Sequence, residues 1–213
     1  MGEDPPGLQP KFLAYWRQIA ARFKSAPPEV LFEVLNEPNK KLDANLWNDY
    51  LAAALKIIRA ENATRTVVVG PADWNSIDYL GKLKLPEEDR RLLVTVHFYD
   101  PFEFTHQGAP WAGLAGKLGI RWSGSPEEQA AITHQFQKAQ DWAQAHRRPL
   151  FLGEFGAYDK APMESRARYV AAVARAAERN GWGWAYWQFD SDFVLYDIPR
   201  DQWVEPLRRA LSP

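Results

Sequence analysis

Five short runs rich in β-branched and aromatic residues, separated by stretches of helical periodicity, constrain this chain more than any other feature. The runs are VLFEVL (30–35), RTVVVGP (65–71), RLLVTVHFYDP (91–101), PLFLGEF (149–155) and WGWAYWQF (182–189). Ahead of the first, Leu8, Phe12, Tyr15, Trp16, Ile19 and Phe23 fall at helical spacing, and Pro27-Pro28 stops that helix. Trp47, Tyr50, Leu51, Ala54, Leu55 and Ile58 form a second stripe that ends near Asn62. Ser125-Pro126-Glu127-Glu128 reads as a capping box with proline at the first helical position, and Ile132, Phe136, Ala139 and Ala143 mark the buried face behind it. A further helix from about Pro162 carries Tyr169, Val170 and Val173 and closes at Asn180-Gly181. A short helix within 76–86 and a closing helix within 201–211 complete the order. Apolar strands alternating with helices predict an α/β fold with a parallel sheet, because parallel neighbours need a crossover between them.

In such a sheet all carboxyl ends of the strands lie on one side. Asn36 and Glu37 end the first run, and Asp73, Trp74 and Asn75 follow the second. His97 and Tyr99 end the third, Glu154 the fourth and Trp187 the fifth. Polar groups and tryptophans therefore gather on the face where α/β barrels and open α/β sheets place their sites. The balance of charge, −1 over 213 residues, argues against nucleic-acid or anionic-membrane partners. The chain has no cysteine, which removes disulfides, thiolate metal sites and a cysteine nucleophile. Its four histidines show no paired ligand spacing, so no metal is expected. No apolar run reaches the roughly 18 residues of a membrane span, and MGEDPPGLQPK lacks the apolar core of a signal peptide. Gly153-Glu154-Phe155-Gly156 lacks the third glycine of a dinucleotide fingerprint, and no cofactor is expected.

Two glutamates delivered to one face by strand ends are the equipment for glycoside hydrolysis: one protonates the leaving oxygen, the other attacks the anomeric carbon or activates water. A retaining enzyme holds the two carboxyls roughly 5–5.5 Å apart. FEVLNEPN (32–39) resembles the acid/base strand of glycoside hydrolase family 5 and its wider clan. VVVGPADWN (67–75) is similar to the fifth strand, VTVHFYDPFEFTHQGAPW (94–111) to the sixth-strand segment of the cellulase group, LGEFGAY (152–158) to the nucleophile strand, and WGWAYWQFD (182–190) to the eighth-strand tryptophan motif. The resemblance implies that Glu37 is the general acid/base and Glu154 the nucleophile. It implies that Asn36 holds the sugar 2-hydroxyl, that His97 lies in the network beside Glu37, and that Tyr99 hydrogen-bonds Glu154. Trp187 becomes the platform under the sugar. His106 and Trp111, in the loop after the sixth strand, are substrate-binding candidates, with holding the loop as the plain alternative. Glu33 shares the parity of Glu37 one pleat deeper and reads as a buried structural acid. Trp74, Trp122 and Trp203 read as packing residues, although Trp74 follows a strand end and is also a subsite candidate.

The same resemblance implies a partial TIM (β/α)8 barrel, with about five parallel strands corresponding to the fourth to eighth. Residues 1–213 then form a single catalytic domain fragment lacking the first three βα units. The family's second-strand arginine and third-strand histidine cannot be assigned. The strands carrying Glu37 and Trp187 would be edges, open to association with another chain, and the isolated fragment would have weak activity or none. The implied function is a retaining endo-β-1,4-glycanase acting on glucan. A β-mannanase of the same family is the near alternative, and a non-catalytic remnant that binds glycan or a partner chain is the distant one. The implied partner is a β-linked polysaccharide, and secretion follows only from a polymeric substrate that cannot enter a cell.

Overall fold

The structure, a computed structural model, describes residues 1–212. The chain divides into two compact units: residues 1–96 with 142–151, and residues 97–141 with 152–213. Five strands lie side by side in chain order: β1 (Phe32–Glu33), β2 (Val67–Val69), β3 (Leu92–Phe98), β4 (Leu150–Phe155) and β5 (Gly183–Trp184). The pairings of β1 with β2 and of β2 with β3 are parallel, in the registers Phe32↔Val67 and Val67↔Leu92. β3 and β4 each contribute their amino-terminal part to the first unit and their carboxyl-terminal part to the second.

In the first unit α1 (Pro5–Arg22) starts on the Asp4 side chain, which accepts from Gly7 N–H at 3.2 Å. α2 (Ala44–Glu61) starts on Asp43, which accepts from Asn45 and Leu46 N–H at 3.0 Å each. Both are the side-chain caps that satisfy first-turn donors. The stripe Trp47, Tyr50, Leu51, Ala54, Leu55 and Ile58 is buried, as its spacing predicts. Each large member contributes about 1.5–3 kcal/mol on burial. Trp16 of α1 lies 5.7 Å from Phe32 and donates its indole N–H to Val34 O at 3.1 Å. The turn between α1 and β1 is gathered by one side chain. Arg65 is buried and uses all five of its N–H donors: to Asn62 Oδ1, and to the carbonyls of Phe23, Ala26, Pro27 and Val30.

In the second unit α4 (Phe102–Thr105) follows β3, and α6 (Met163–Arg179) follows β4. α5 (Pro126–His146) divides between the units, and its capping box is present: Glu128 N–H reaches Ser125 Oγ at 3.3 Å, while the Glu128 carboxylate accepts from the Ser123, Gly124 and Ser125 amides. The core here is aromatic. Phe98 meets Phe136 at 5.1 Å, Phe104 and Trp122 meet Tyr169 at 5.4 and 5.7 Å, and Trp182 donates to Gln140 at 2.8 Å.

Three expectations are corrected. Glu33 is exposed rather than buried: Leu31 and Glu33 share the face of β1 opposite to the buried Phe32 and Val34. The assigned strands are shorter than the runs that announced them, although Ala185 and Trp187 continue the pairing past β5 by donating to Leu152 O and Phe155 O at 2.9 Å each. The closing segment is a hairpin before it is a helix. β6 (Tyr196–Asp197) pairs antiparallel with β7 (Gln202–Trp203), and α7 (Glu205–Leu211) follows. Aromatic contacts favour the hairpin: Phe189 stacks on Tyr196 at 5.1 Å, and Trp203 packs edge-on against both while staying exposed rather than buried in a core.

Candidate active site

In the first unit, Glu37 sits just past β1 with φ at 48°, a left-handed backbone rarely taken by a glutamate. Such a residue costs on the order of 1–3 kcal/mol and persists only where its surroundings hold it. Here Asn39 Nδ2 donates to Glu37 O at 2.7 Å, and the buried Pro38 accepts from Trp74 N–H at 3.2 Å. Glu37 is half-buried and Asn36 exposed. The loop that follows is strapped by the chain's first residues: Lys41 N–H donates to Gly2 O, and Lys40 pairs with Glu3.

The residue that meets Pro38 belongs to a second strained segment. Asp73, Trp74 and Asn75, in the single turn α3 (Ala72–Asn75), have φ of 59°, 58° and 56°. Consecutive left-handed residues cost about 1–2 kcal/mol each. Asn75 is fully buried against Gly70, where a Cβ would stand 2.2 Å from Asn75 Oδ1. Gly70 O in turn accepts the Trp47 indole at 2.8 Å. The turn leaves Trp74 46% exposed, so it is not the packing residue its sequence suggested.

In the second unit, β3 and β4 bring three of the candidate residues together. Tyr99 donates its phenol hydrogen to Glu154 Oε2 at 2.8 Å. His97 Nδ1 stands 3.5 Å from the same oxygen. The Glu154 side chain is 14% exposed and that of His97 3%. A hydrogen bond directed at a carboxylate favours its charged form, whereas burial alone disfavours it. Trp187 reaches this neighbourhood through its backbone. Its N–H donates to Phe155 O, and Gly156 packs so closely that a Cβ there would lie 2.2 Å from Trp187 O. The Trp187–Gln188 peptide is cis, and the Trp187 ring is 39% exposed.

His106 and Trp111 lie on the loop after β3 and do different things. His106 is sandwiched: Phe102 stacks on it at 4.1 Å, and Tyr99 and Phe193 meet it edge-on at 5.0 and 5.5 Å. Trp111 is one of the most exposed rings, touching Tyr158 edge-on at 4.9 Å. Residues that the sequence reading passed over hold this loop. Thr105 Oγ1 donates to Tyr99 O at 2.6 Å, and Thr105 O accepts Tyr158 N–H at 2.7 Å. Phe193, with Tyr158 and Ala109, makes a small core under Tyr99. Tyr186 fixes Phe193 by donating to its carbonyl at 2.7 Å, and burial pushes the Tyr186 phenol up, so that it remains a donor. The buried Arg166 joins Ala157 O to Val194 O. Only the aromatic density of FYDPFEFTH hinted at this arrangement.

A model of the cellulase family, glycosyl hydrolase family 5, matches residues 8–192. Endoglucanase H of Acetivibrio thermocellus is 33% identical over 92% of this chain, which spans 21% of that protein. Thermotoga maritima Cel5A superimposes with a TM-score of 0.95 at 42% identity, over 98% of this chain and 68% of its own, in a structure with cellobiose and in another with mannotriose. The motifs that carried the resemblance, the strand order and the family match over most of the chain lead to one conclusion: the chain belongs to the cellulase family, glycosyl hydrolase family 5.

Proposed function

We propose that this chain supplies the catalytic carboxylates of a retaining endo-β-1,4-glucanase, with Glu154 as nucleophile and Glu37 as general acid/base. The observation that carries the reading is the hydrogen bond from Tyr99 to Glu154 at 2.8 Å, on a carboxylate that is mostly buried. A nucleophilic carboxylate must be ionised and aimed, and a fixed phenol donor does both. In the proposed cycle Glu154 attacks the anomeric carbon while Glu37 gives its proton to the departing glycosidic oxygen. A glycosyl ester remains on Glu154. Glu37 then takes a proton from water, the water oxygen bonds to the anomeric carbon, and the ester bond breaks to restore both acids. Asn36 holds the sugar 2-hydroxyl, and His97 and Tyr99 keep Glu154 in place. Trp187 stacks under the sugar, while Trp111 and His106 extend the surface along the chain of residues. The substrate is a β-linked glucan, met outside the cell.

One observation supports mannan as a second substrate: Thermotoga maritima Cel5A has been solved with mannotriose as well as with cellobiose. The test supplies this chain with the first three βα units of a full-length family 5 endoglucanase and compares that completed chain with its Glu154→Gln and Glu37→Gln variants on cellotetraose and mannotetraose, reading new reducing ends and binding heats. Loss of hydrolysis by roughly 10³-fold or more, with binding kept, is the expected result. Binding without any hydrolysis in that completed chain would favour a glycan-binding remnant, and unchanged hydrolysis in its Glu154→Gln variant would remove Glu154 from the mechanism.

A further inference from the structure

Within the first unit the loop that carries Glu37 is gripped at several points, and one side chain stands between two of them. Asn39 Nδ2 donates to Glu37 O at 2.7 Å, reaching back across Pro38. A carbonyl oxygen only accepts, so the amide is oriented: its NH2 faces Glu37 and its Oδ1 points elsewhere. Gly2 fills the space beside that oxygen. A Cβ on residue 2 would lie 2.5 Å from Asn39 Oδ1 and 2.8 Å from Asn39 O, closer than such atoms approach. Gly2 O accepts Lys41 N–H at 3.0 Å, and Asn39 O accepts the N–H of the fully buried Leu42 at 3.1 Å. Residue 2 therefore lies flush against Asn39 and is tied to residue 41. On the other side Pro38 O accepts Trp74 N–H at 3.2 Å. Glu37 and Lys40 both have left-handed backbone, with φ of 48° and 56°, a conformation that persists only where the surroundings impose it.

We propose that Asn39 is a positioning residue for the general acid and that Gly2 is its backstop. The amide fixes the backbone of Glu37, and the absence of a side chain at residue 2 keeps the amide in place. Both act through Glu37 rather than on the sugar. The catalytic consequence rests on the reading of Glu37 as general acid/base, whereas the holding of the loop does not. In the first displacement Glu154 bonds to the anomeric carbon and the bond to the leaving oxygen breaks. With cellotetraose that oxygen takes its electron pair and the Glu37 proton. With a dinitrophenyl β-cellobioside it departs as a stable phenolate and needs no proton. A misplaced acid therefore slows the first substrate and spares the second, while partial unfolding or damage to Glu154 slows both alike.

The test uses the chain supplied with the first three βα units of a full-length family 5 endoglucanase, and reads kcat/KM, which reports the first displacement. Asn39→Ala should lower it about 10–100-fold on cellotetraose, the scale of a misplaced catalytic group, and leave it within about twofold on the dinitrophenyl cellobioside. Gly2→Ala removes no group from the loop and should show the same split more weakly. Equal losses on both substrates in Asn39→Ala, or no loss on either, overturn the proposal, and an unchanged Gly2→Ala removes the backstop. Glu37→Gln is the control: without a split of its own, Glu37 is not the acid and the catalytic half of the proposal falls with that reading. Amide hydrogen exchange read by NMR decides the holding of the loop separately. The Lys41 and Trp74 N–H groups should exchange faster in Asn39→Ala than in the wild type. Unchanged exchange overturns the proposal whatever the role of Glu37.

Discussion

Replacing Arg65 tests whether the delivery of Glu37 depends on a single buried guanidinium. Arg65 makes five hydrogen bonds of 2.6–3.0 Å, four of them to the carbonyls of the turn between α1 and β1. Its guanidinium also lies 4.8 Å from the centre of the Phe32 ring, in β1, the strand that precedes Glu37. Lysine carries the same charge but offers three donors from one point, so it cannot span two pairs of carbonyls and Asn62 at once. At least two bonds of the charge-assisted kind are lost, each worth about 1.5–3 kcal/mol. Arg65→Lys should therefore cost about 3–6 kcal/mol. For a chain of this size that lowers the thermal midpoint by roughly 6–24 °C. Arg65→Met should cost at least as much, because the carbonyls then face an apolar side chain. Urea and thermal unfolding followed by circular dichroism read both variants. A loss below about 1 kcal/mol in Arg65→Lys would refute the reasoning, because the carbonyls would then have found water or each other at little cost.

Further predictions follow from the same contacts. Tyr99→Phe keeps the ring packing but removes the donor to Glu154, so kcat of the chain supplied with the first three βα units should fall about 10–150-fold on cellotetraose, the equivalent of about 1.5–3 kcal/mol, with the melting temperature nearly unchanged. A change under about twofold would contradict the role given to that phenol. Gly70→Ala places a methyl 2.2 Å from the buried Asn75 amide and should destabilise the left-handed turn by about 1–3 kcal/mol, seen as a lowered urea midpoint. Burial pushes the Glu128 carboxyl up, but hydrogen bonds from Ser125, Ser123 and Gly124 outweigh it and hold the group below its ordinary 4.5. That stability is present above the ordinary value and is lost as pH falls through the lowered folded one. Glu128→Gln should cost about 0.5–2 kcal/mol at pH 7 and much less at pH 3, and equal losses at both pH values would refute the linkage.

Periodicity alone located the helices well, because Trp47 to Ile58 and Tyr169 to Val173 bury what their spacing says they bury. The parallel order of the strands was legible for the same reason: runs such as VVV and LLVTVHF are apolar on both faces and need cover on both. Glu33 was misread because parity says which residues share a face but not whether that face is covered, and the face that carries Leu31 and Glu33 is exposed. The hairpin at 196–203 was misread because its stabilising contacts come from Phe189, in a different segment, which no local propensity reports. At the site, residue types were visible but their supports were not. Nothing in HFYDPFEFTH announces that Thr105 carries both Tyr99 and His106, or that Asp73 to Asn75 turn left-handed to bring Trp74 to the Pro38 carbonyl. Such features depend on hydrogen-bond geometry between segments, which spacing along the chain does not encode.

The most direct test of Glu154 as nucleophile is to trap its ester. A 2-deoxy-2-fluoro-β-cellobioside with a dinitrophenolate leaving group slows both displacements but lets the first proceed, so a covalent glycosyl-enzyme accumulates. Intact-protein and peptide mass spectrometry of the chain supplied with the first three βα units, run beside a full-length family 5 endoglucanase treated in the same way, then locates the adduct. The account predicts one fluorocellobiosyl group on the peptide containing Glu154, and none in Glu154→Gln. An adduct on Glu37 or another acid, or no adduct on the completed chain while the full-length enzyme is labelled, would contradict it.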